Sequence, residues 1–136
     1  MLYRLLKHSY WPAVIWSAII VLLLVLPSRD VSLPKGAFSH FLDHIHADKI
    51  VHFTLFGVFV ALWTLPYADR HSPAANTRFF IFICITACLL GTAMEFVQLC
   101  CTDRDYENGD IAADSLGAIT GMIISMLWVK RVRARQ

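Results

Sequence analysis

Apolar residues in this chain fall in long unbroken blocks, with little alternation and no single-faced period. The blocks run roughly from Trp11 to Pro27, Ile50 to Pro66, Phe79 to Cys101 and Ile111 to Val129. A hydrocarbon core about 30 Å thick is crossed by about 20 apolar helical residues, so each block is close to one span. Only helices and closed barrels satisfy their backbone in lipid, and unbroken apolar blocks select helices. The pattern predicts an all-α membrane protein, a bundle of four transmembrane helices forming one domain over residues 1–136. Ser9 is placed to cap the first helix, Pro12 suits its opening turn and Pro27 ends it.

Composition agrees with the pattern: hydrophobic residues make up 57% of the chain and charged residues 16%. Arg4 and Lys7 ahead of the first block resemble the start of a signal peptide. The exit "VLPSRD" offers no small-x-small cleavage site, which favours an uncleaved first span. Basic residues then set the orientation. With the N-terminus inside, the cytoplasmic parts hold eight of the twelve Lys and Arg but only Asp69 of the ten acidic residues. The expectation is an even number of spans, both termini cytoplasmic, in a multi-pass protein. The tail "KRVRAR" reads as a stop-transfer and anionic-lipid anchor, so membrane lipids are the expected partners and nucleic acid is not. The four cysteines form no CxxC pattern and predict no metal.

Between the first two spans, Phe38, Phe41, Leu42 and Ile45 follow i, i+3, i+4, i+7 spacing, with Ser39, Asp43, His44 and His46 elsewhere on the wheel. This predicts a short amphipathic helix on the outer membrane surface. The inner connection "YADRHSPAANTR" reads as a short polar loop, and the outer "TDRDYENGD" as an acidic one turning at Asn108-Gly109.

The third block carries two oddities, Glu95 and Gln98. At about 100° per residue, Cys84, Cys88, Gly91, Glu95 and Gln98 share one face. In the fourth block Asp110, Asp114, Gly117 and Gly121 do the same, and in the second Asp48 and His52 stand four apart. Asp114 lies about 6 Å inward of Asp110, His52 about 5 Å inward of Lys49, and Glu95 about 9 Å from Cys101. His52, Glu95 and Asp114 are therefore expected in one layer below the outer surface. A charge at membrane depth is costly unless paired or hydrated, so Glu95 needs a partner, with Lys49, His52 and Arg104 available. Simpler roles stand beside this one: close helix packing for Gly117 and Gly121, interhelical bonding for Gln98, and helix capping for Asp110.

"DKIVHFTLF", "EFVQL" and "RDYENGDIAADSLGAITG" together resemble the VanZ-like family of small bacterial membrane proteins. The matching positions are Asp48, Lys49, His52 and Phe53, then Glu95 and Gln98, then Arg104, Asp110, Asp114 and Gly117, all between residues 48 and 121. The chain departs from the family pattern at Phe56, often Tyr, at Asp114, often Asn, and at Thr102-Asp103, often Pro-Gly. The resemblance implies a protein of the bacterial cytoplasmic membrane, with a link through the name-giving member to resistance against the glycopeptide teicoplanin.

Two functions follow from different classes. The first is binding or modulation of an envelope lipid or cell-wall component, with Asp48, Lys49, His52, Glu95, Gln98, Arg104, Asp110 and Asp114 lining an outward-facing pocket. The second is an enzyme acting on a lipid-linked or phosphorylated envelope substrate. There His52 is the base, Glu95 the proton donor and Asp114 a further catalytic candidate, although no nucleophile signature accompanies them. His40, His44, Asp48 and His52 recur every four residues, a workable ligand spacing, but the ladder drifts about 40° per step. No metal or other cofactor is therefore expected. The glycine faces offer a route to a homodimer.

Overall fold

The computed structural model describes residues 9–25, 47–68, 70–101 and 106–135. These residues form four helices and no strand: α1 (Trp11–Val25), α2 (Ala47–Ala68), α3 (Pro73–Cys101) and α4 (Asn108–Arg133). Three of them, α2, α3 and α4, are long and apolar enough to cross a membrane, while α1 is shorter at 15 residues. The amphipathic segment from Phe38 to Ile45, the histidines 40, 44 and 46, Pro27 and Arg104 all lie outside the described residues.

Local chemistry fixes the helix ends. Ser9 caps α1 as expected, its Oγ accepting the Trp11 N–H at 3.2 Å, with Pro12 in the first turn. Ser72 and Pro73 open α3 in the same way, Pro at the first helical position and the Ser72 carbonyl accepting the Asn76 N–H at 2.9 Å. Most of the segment expected as an inner loop is helical, because α2 continues to Ala68 and α3 starts at Pro73. Asn108-Gly109, read as a turn, lies instead in the first turn of α4. Weak helix formers are tolerated there, where backbone N–H groups lack intrahelical partners anyway.

Consecutive helices alternate in direction, so α2 and α4 run parallel. At one end His52 of α2 meets Asp114 of α4; at the other, Arg133 Nη2 donates to the carbonyls of Ala68 at 2.5 Å and His71 at 2.6 Å. A guanidinium on the last carbonyl of α2 closes that end of the bundle. The α2–α4 interface is the most extensive in the fold. Its cause is glycine: a Cβ at Gly117 would run into the Phe53 carbonyl oxygen, and one at Gly121 into that of Gly57. The GxxxG step of α4 thus packs on α2 of the same chain. Gly57, its counterpart on α2, stands four residues before Ala61, a small-xxx-small step facing the GxxxG of α4.

The core joins Ile20 and Leu24 of α1 with Phe56, Phe59 and Val60 of α2, Ile83 and Ala87 of α3, and Ala118 of α4. Phe82, Leu89, Leu116 and Leu127 point outward and are exposed, as lipid-facing residues would be. The small α1 is held by polar contacts as well: Trp16 Nε1 donates to the Leu55 carbonyl at 2.9 Å, and Trp63 Nε1 to Ser17 Oγ at 3.2 Å. Gln98 Nε2 donates at 2.9 Å to the Leu24 carbonyl in the last turn of α1. The expected role of Gln98 as interhelical glue is the one it has. Gln98→Leu is expected to cost about 1–3 kcal/mol, because that carbonyl then loses a buried donor. The midpoint of unfolding in detergent measures it, and an unchanged midpoint refutes the role.

Candidate functional site

The polar stripes converge where the N-terminal ends of α2 and α4 meet the C-terminal half of α3. On α3, Cys84, Gly91, Glu95 and Gln98 are buried and Cys88 is half-buried; on α4, Asp110, Asp114, Gly117 and Gly121 are buried. His52, Glu95, Asp110 and Asp114 are each 4% exposed or less. All four cysteines are free thiols.

His52 is the hub. Its Nδ1 lies 2.9 Å from Asp114 Oδ1, and its Nε2 lies 3.8 Å from Asp110 Oδ2. One ligand atom each of His52, Glu95 and Asp110 lies within 4.8 Å of the others. The mutually close set is thus His52, Glu95 and Asp110, with the expected Asp114 joined to it through His52, and the groups come from three helices. Gly91 makes room for it: a Cβ there would stand 2.6 Å from Asp114 Oδ2. Asp114 therefore sits between the ring of His52 and the backbone of α3.

Glu95 finds partners other than a lysine. Its Oε2 accepts the backbone N–H of Glu107 at 3.1 Å. Lys49 instead bridges Glu107 at 2.7 Å, Asp48 at 3.0 Å and Asp110 at 3.0 Å. The ammonium forms a lid over the buried layer, with Asp48 and Glu107 on the exposed side and Asp110 below. Asp110 is consequently no helix cap. Glu107 holds the capping position of α4 without a side-chain capping bond, and the Asp110 side chain reaches Lys49 and His52.

Glu107 is the residue that sequence reasoning passed over. It looks like one more acid in an acidic loop, yet it touches both Lys49 and Glu95. Its one signal was its place three residues before Asp110, on the same side of α4 once that helix begins at Asn108. Gly109 also gains a reason: a Cβ there would stand 2.8 Å from Lys49 Cε, so glycine lets the lysine lie across the start of α4. Phe56, one turn from His52, is wholly buried and adds no hydroxyl to the layer.

Among the described residues, several buried atoms of the layer lack a hydrogen-bond partner: His52 Nε2, Glu95 Oε1 and Asp114 Oδ2. Native interiors leave few such atoms, and each marks strain, chemistry or a bound group. An imidazole oriented by a carboxylate, with its other nitrogen free beside two more carboxylates, can accept a proton or hold a ligand.

Fold and site together define an all-helical protein of membrane-spanning character with a buried His–carboxylate layer under a lysine lid. The VanZ/LLP1 family model matches residues 10–129, and the chain belongs to that family. No curated protein and no solved structure matches it.

Proposed function

We propose that this is a four-span protein of the bacterial cytoplasmic membrane, both termini cytoplasmic, that binds or modulates an envelope lipid or cell-wall component on its outer side. The carrying observation is the lysine lid: a basic group held at the mouth of a buried polar layer by two exposed carboxylates. Exposed ion pairs are worth little, so a phosphate can take the places of Asp48 and Glu107 on Lys49 at small cost. The positive-inside balance of the sequence supports an outward-facing mouth, on the side where lipid-linked precursors and amphiphilic glycopeptides such as teicoplanin are found. In this reading Asp48, Lys49 and Arg104 contact the head group, and His52, Glu95, Gln98, Asp110 and Asp114 shape the floor.

The test uses protein in nanodiscs with labelled undecaprenyl phosphate or lipid II. Lys49→Ala is expected to weaken binding about tenfold, or about 1.4 kcal/mol. Glu95→Gln, which keeps shape but removes charge, is expected to change teicoplanin susceptibility in a strain that depends on this protein. If neither substitution alters binding or susceptibility, the reading is wrong.

One observation favours catalysis as a second reading. His52 is oriented by Asp114 at 2.9 Å with Nε2 unbonded, which is how a general base is held. Turnover of a labelled lipid-linked phosphate by the purified protein, lost in His52→Ala, decides for it. Silence across a panel of such lipids removes it.

A further inference from the structure

The geometry points to a divalent cation site of the zinc–manganese class, formed by His52, Glu95 and Asp110 on three different helices. The ladder His40, His44, Asp48 and His52 weighed from sequence shares only His52 with this set.

Distance comes first. Nitrogen and oxygen ligands stand about 2.0–2.2 Å from zinc, so two ligands of one ion are at most about 4.4 Å apart. The ligand atoms of His52, Glu95 and Asp110 already lie within 4.8 Å of one another. The pair His52 Nε2 to Asp110 Oδ2 stands at 3.8 Å, inside that limit. Three ligands of a tetrahedral ion stand about 3.3–3.6 Å apart, so side-chain movements of up to about 1 Å close the set.

Orientation comes second. A histidine that ligates a metal usually gives its other ring N–H to a carboxylate, which fixes the tautomer and the ring plane. His52 Nδ1 at 2.9 Å from Asp114 Oδ1 is that arrangement. With Nδ1 carrying the proton, the Nε2 lone pair is left for a ligand, 3.8 Å from Asp110 Oδ2.

The unpartnered atoms are the independent observation. His52 Nε2 and Glu95 Oε1 belong to residues that are 2% and 1% exposed, and neither atom has a hydrogen-bond partner among the described residues. A cation between the two side chains offers both a partner. It also offsets charge: Glu95, Asp110 and Asp114 are buried carboxylates, and Lys49 reaches only Asp110 among them. Buried carboxylates this close are normally paired or bound to metal. The other group with suitable spacing, Asp48, Glu107 and Asp110, is already filled by the Lys49 ammonium at 2.7–3.0 Å and is no candidate.

The donor set selects the ion class. One imidazole with two carboxylates suits zinc or manganese better than calcium, which takes oxygen ligands alone, or copper, which prefers softer or nitrogen-rich sites. Three protein ligands leave a coordination position for water or substrate.

The test is a metal titration of the full chain in detergent, first stripped with chelator, with every cysteine changed to serine to silence thiols. Zn²⁺ is followed by calorimetry and Mn²⁺ by electron paramagnetic resonance. About one equivalent per chain is expected, with nitrogen coupling from an imidazole in the Mn²⁺ spectrum. His52→Ala and Glu95→Gln are expected to abolish it. Asp114→Asn, which touches the ring and not the ion, is expected to keep the stoichiometry and weaken affinity about 10–100-fold. Should either variant misfold, the same titration in the cysteine-free parent with His8, His40, His44, His46 and His71 changed to glutamine decides, because its nitrogen coupling can come only from His52. No binding by that parent, binding without nitrogen coupling, or binding that persists in folded His52→Ala and Glu95→Gln overturns the site. No lipid enters this experiment, so its failure and the failure of the lipid-binding reading are separate results.

Discussion

Gly117→Val is expected to cost the bundle about 3 kcal/mol or more, the upper end of what overpacking does. A Cβ at that position meets the backbone oxygen of Phe53, which cannot swing aside as a side chain would. The whole of α4 must therefore move away from α2, and the α2–α4 interface is the largest in the molecule. The unfolding midpoint in detergent measures the loss. Gly109→Ala is the matched comparison, since its added methyl meets only the flexible end of Lys49. It is expected to cost less than about 1 kcal/mol. Equal costs at the two sites would show that backbone contact between α2 and α4 is not what the glycine serves.

His52→Leu has the second large effect. It leaves Asp114 buried at 1% exposure with neither carboxylate oxygen partnered by a side chain, and Gly91 of α3 packed against it. Removing one partner of a buried pair costs about 3–5 kcal/mol, most of it the stranded charge. The double variant His52→Leu/Asp114→Leu removes that charge and is expected to regain at least half of the loss. A double-mutant cycle on unfolding free energies reads the coupling directly. A single substitution that costs under about 1 kcal/mol would show that the pair is not a buried ionic contact.

Much of this was legible in the residues, for physical reasons that can be named. The apolar blocks gave the helices because lipid leaves the backbone no alternative. The stripes of α3 and α4 gave the buried faces, since 3.6-residue periodicity survives in any helix, whatever surrounds it. Depth arithmetic brought His52, Glu95 and Asp114 to one level for the same reason.

The partners were less legible. Lys49 was one of three cations offered to Glu95, but which carboxylates it meets depends on how α2 and α4 rotate against each other. That rotation is set by Gly57, Gly117 and Gly121, and the Gly57–Ala61 step of α2 does not by itself say which residues of α4 it meets. Glu107 was invisible because its role depends on the start of α4, and helix starts read from sequence shift by several residues. The polar inner connection proved mostly helical because Ser72 and Pro73 are also a helix start, a signal the turn residues around them concealed.

The parallel course of α2 and α4 has a consequence for the field at the site. Both helices begin there, so the positive ends of two backbone dipoles, each near half an elementary charge, point at the same carboxylates. Asp48 in the first turn of α2 and Asp110 in the first turn of α4 sit where that field favours negative charge. For any anion near Lys49 the field of the backbone alone is attractive. A cation enters against it, and the concentration of acidic side chains around His52 is what makes a cation welcome at that end of the bundle.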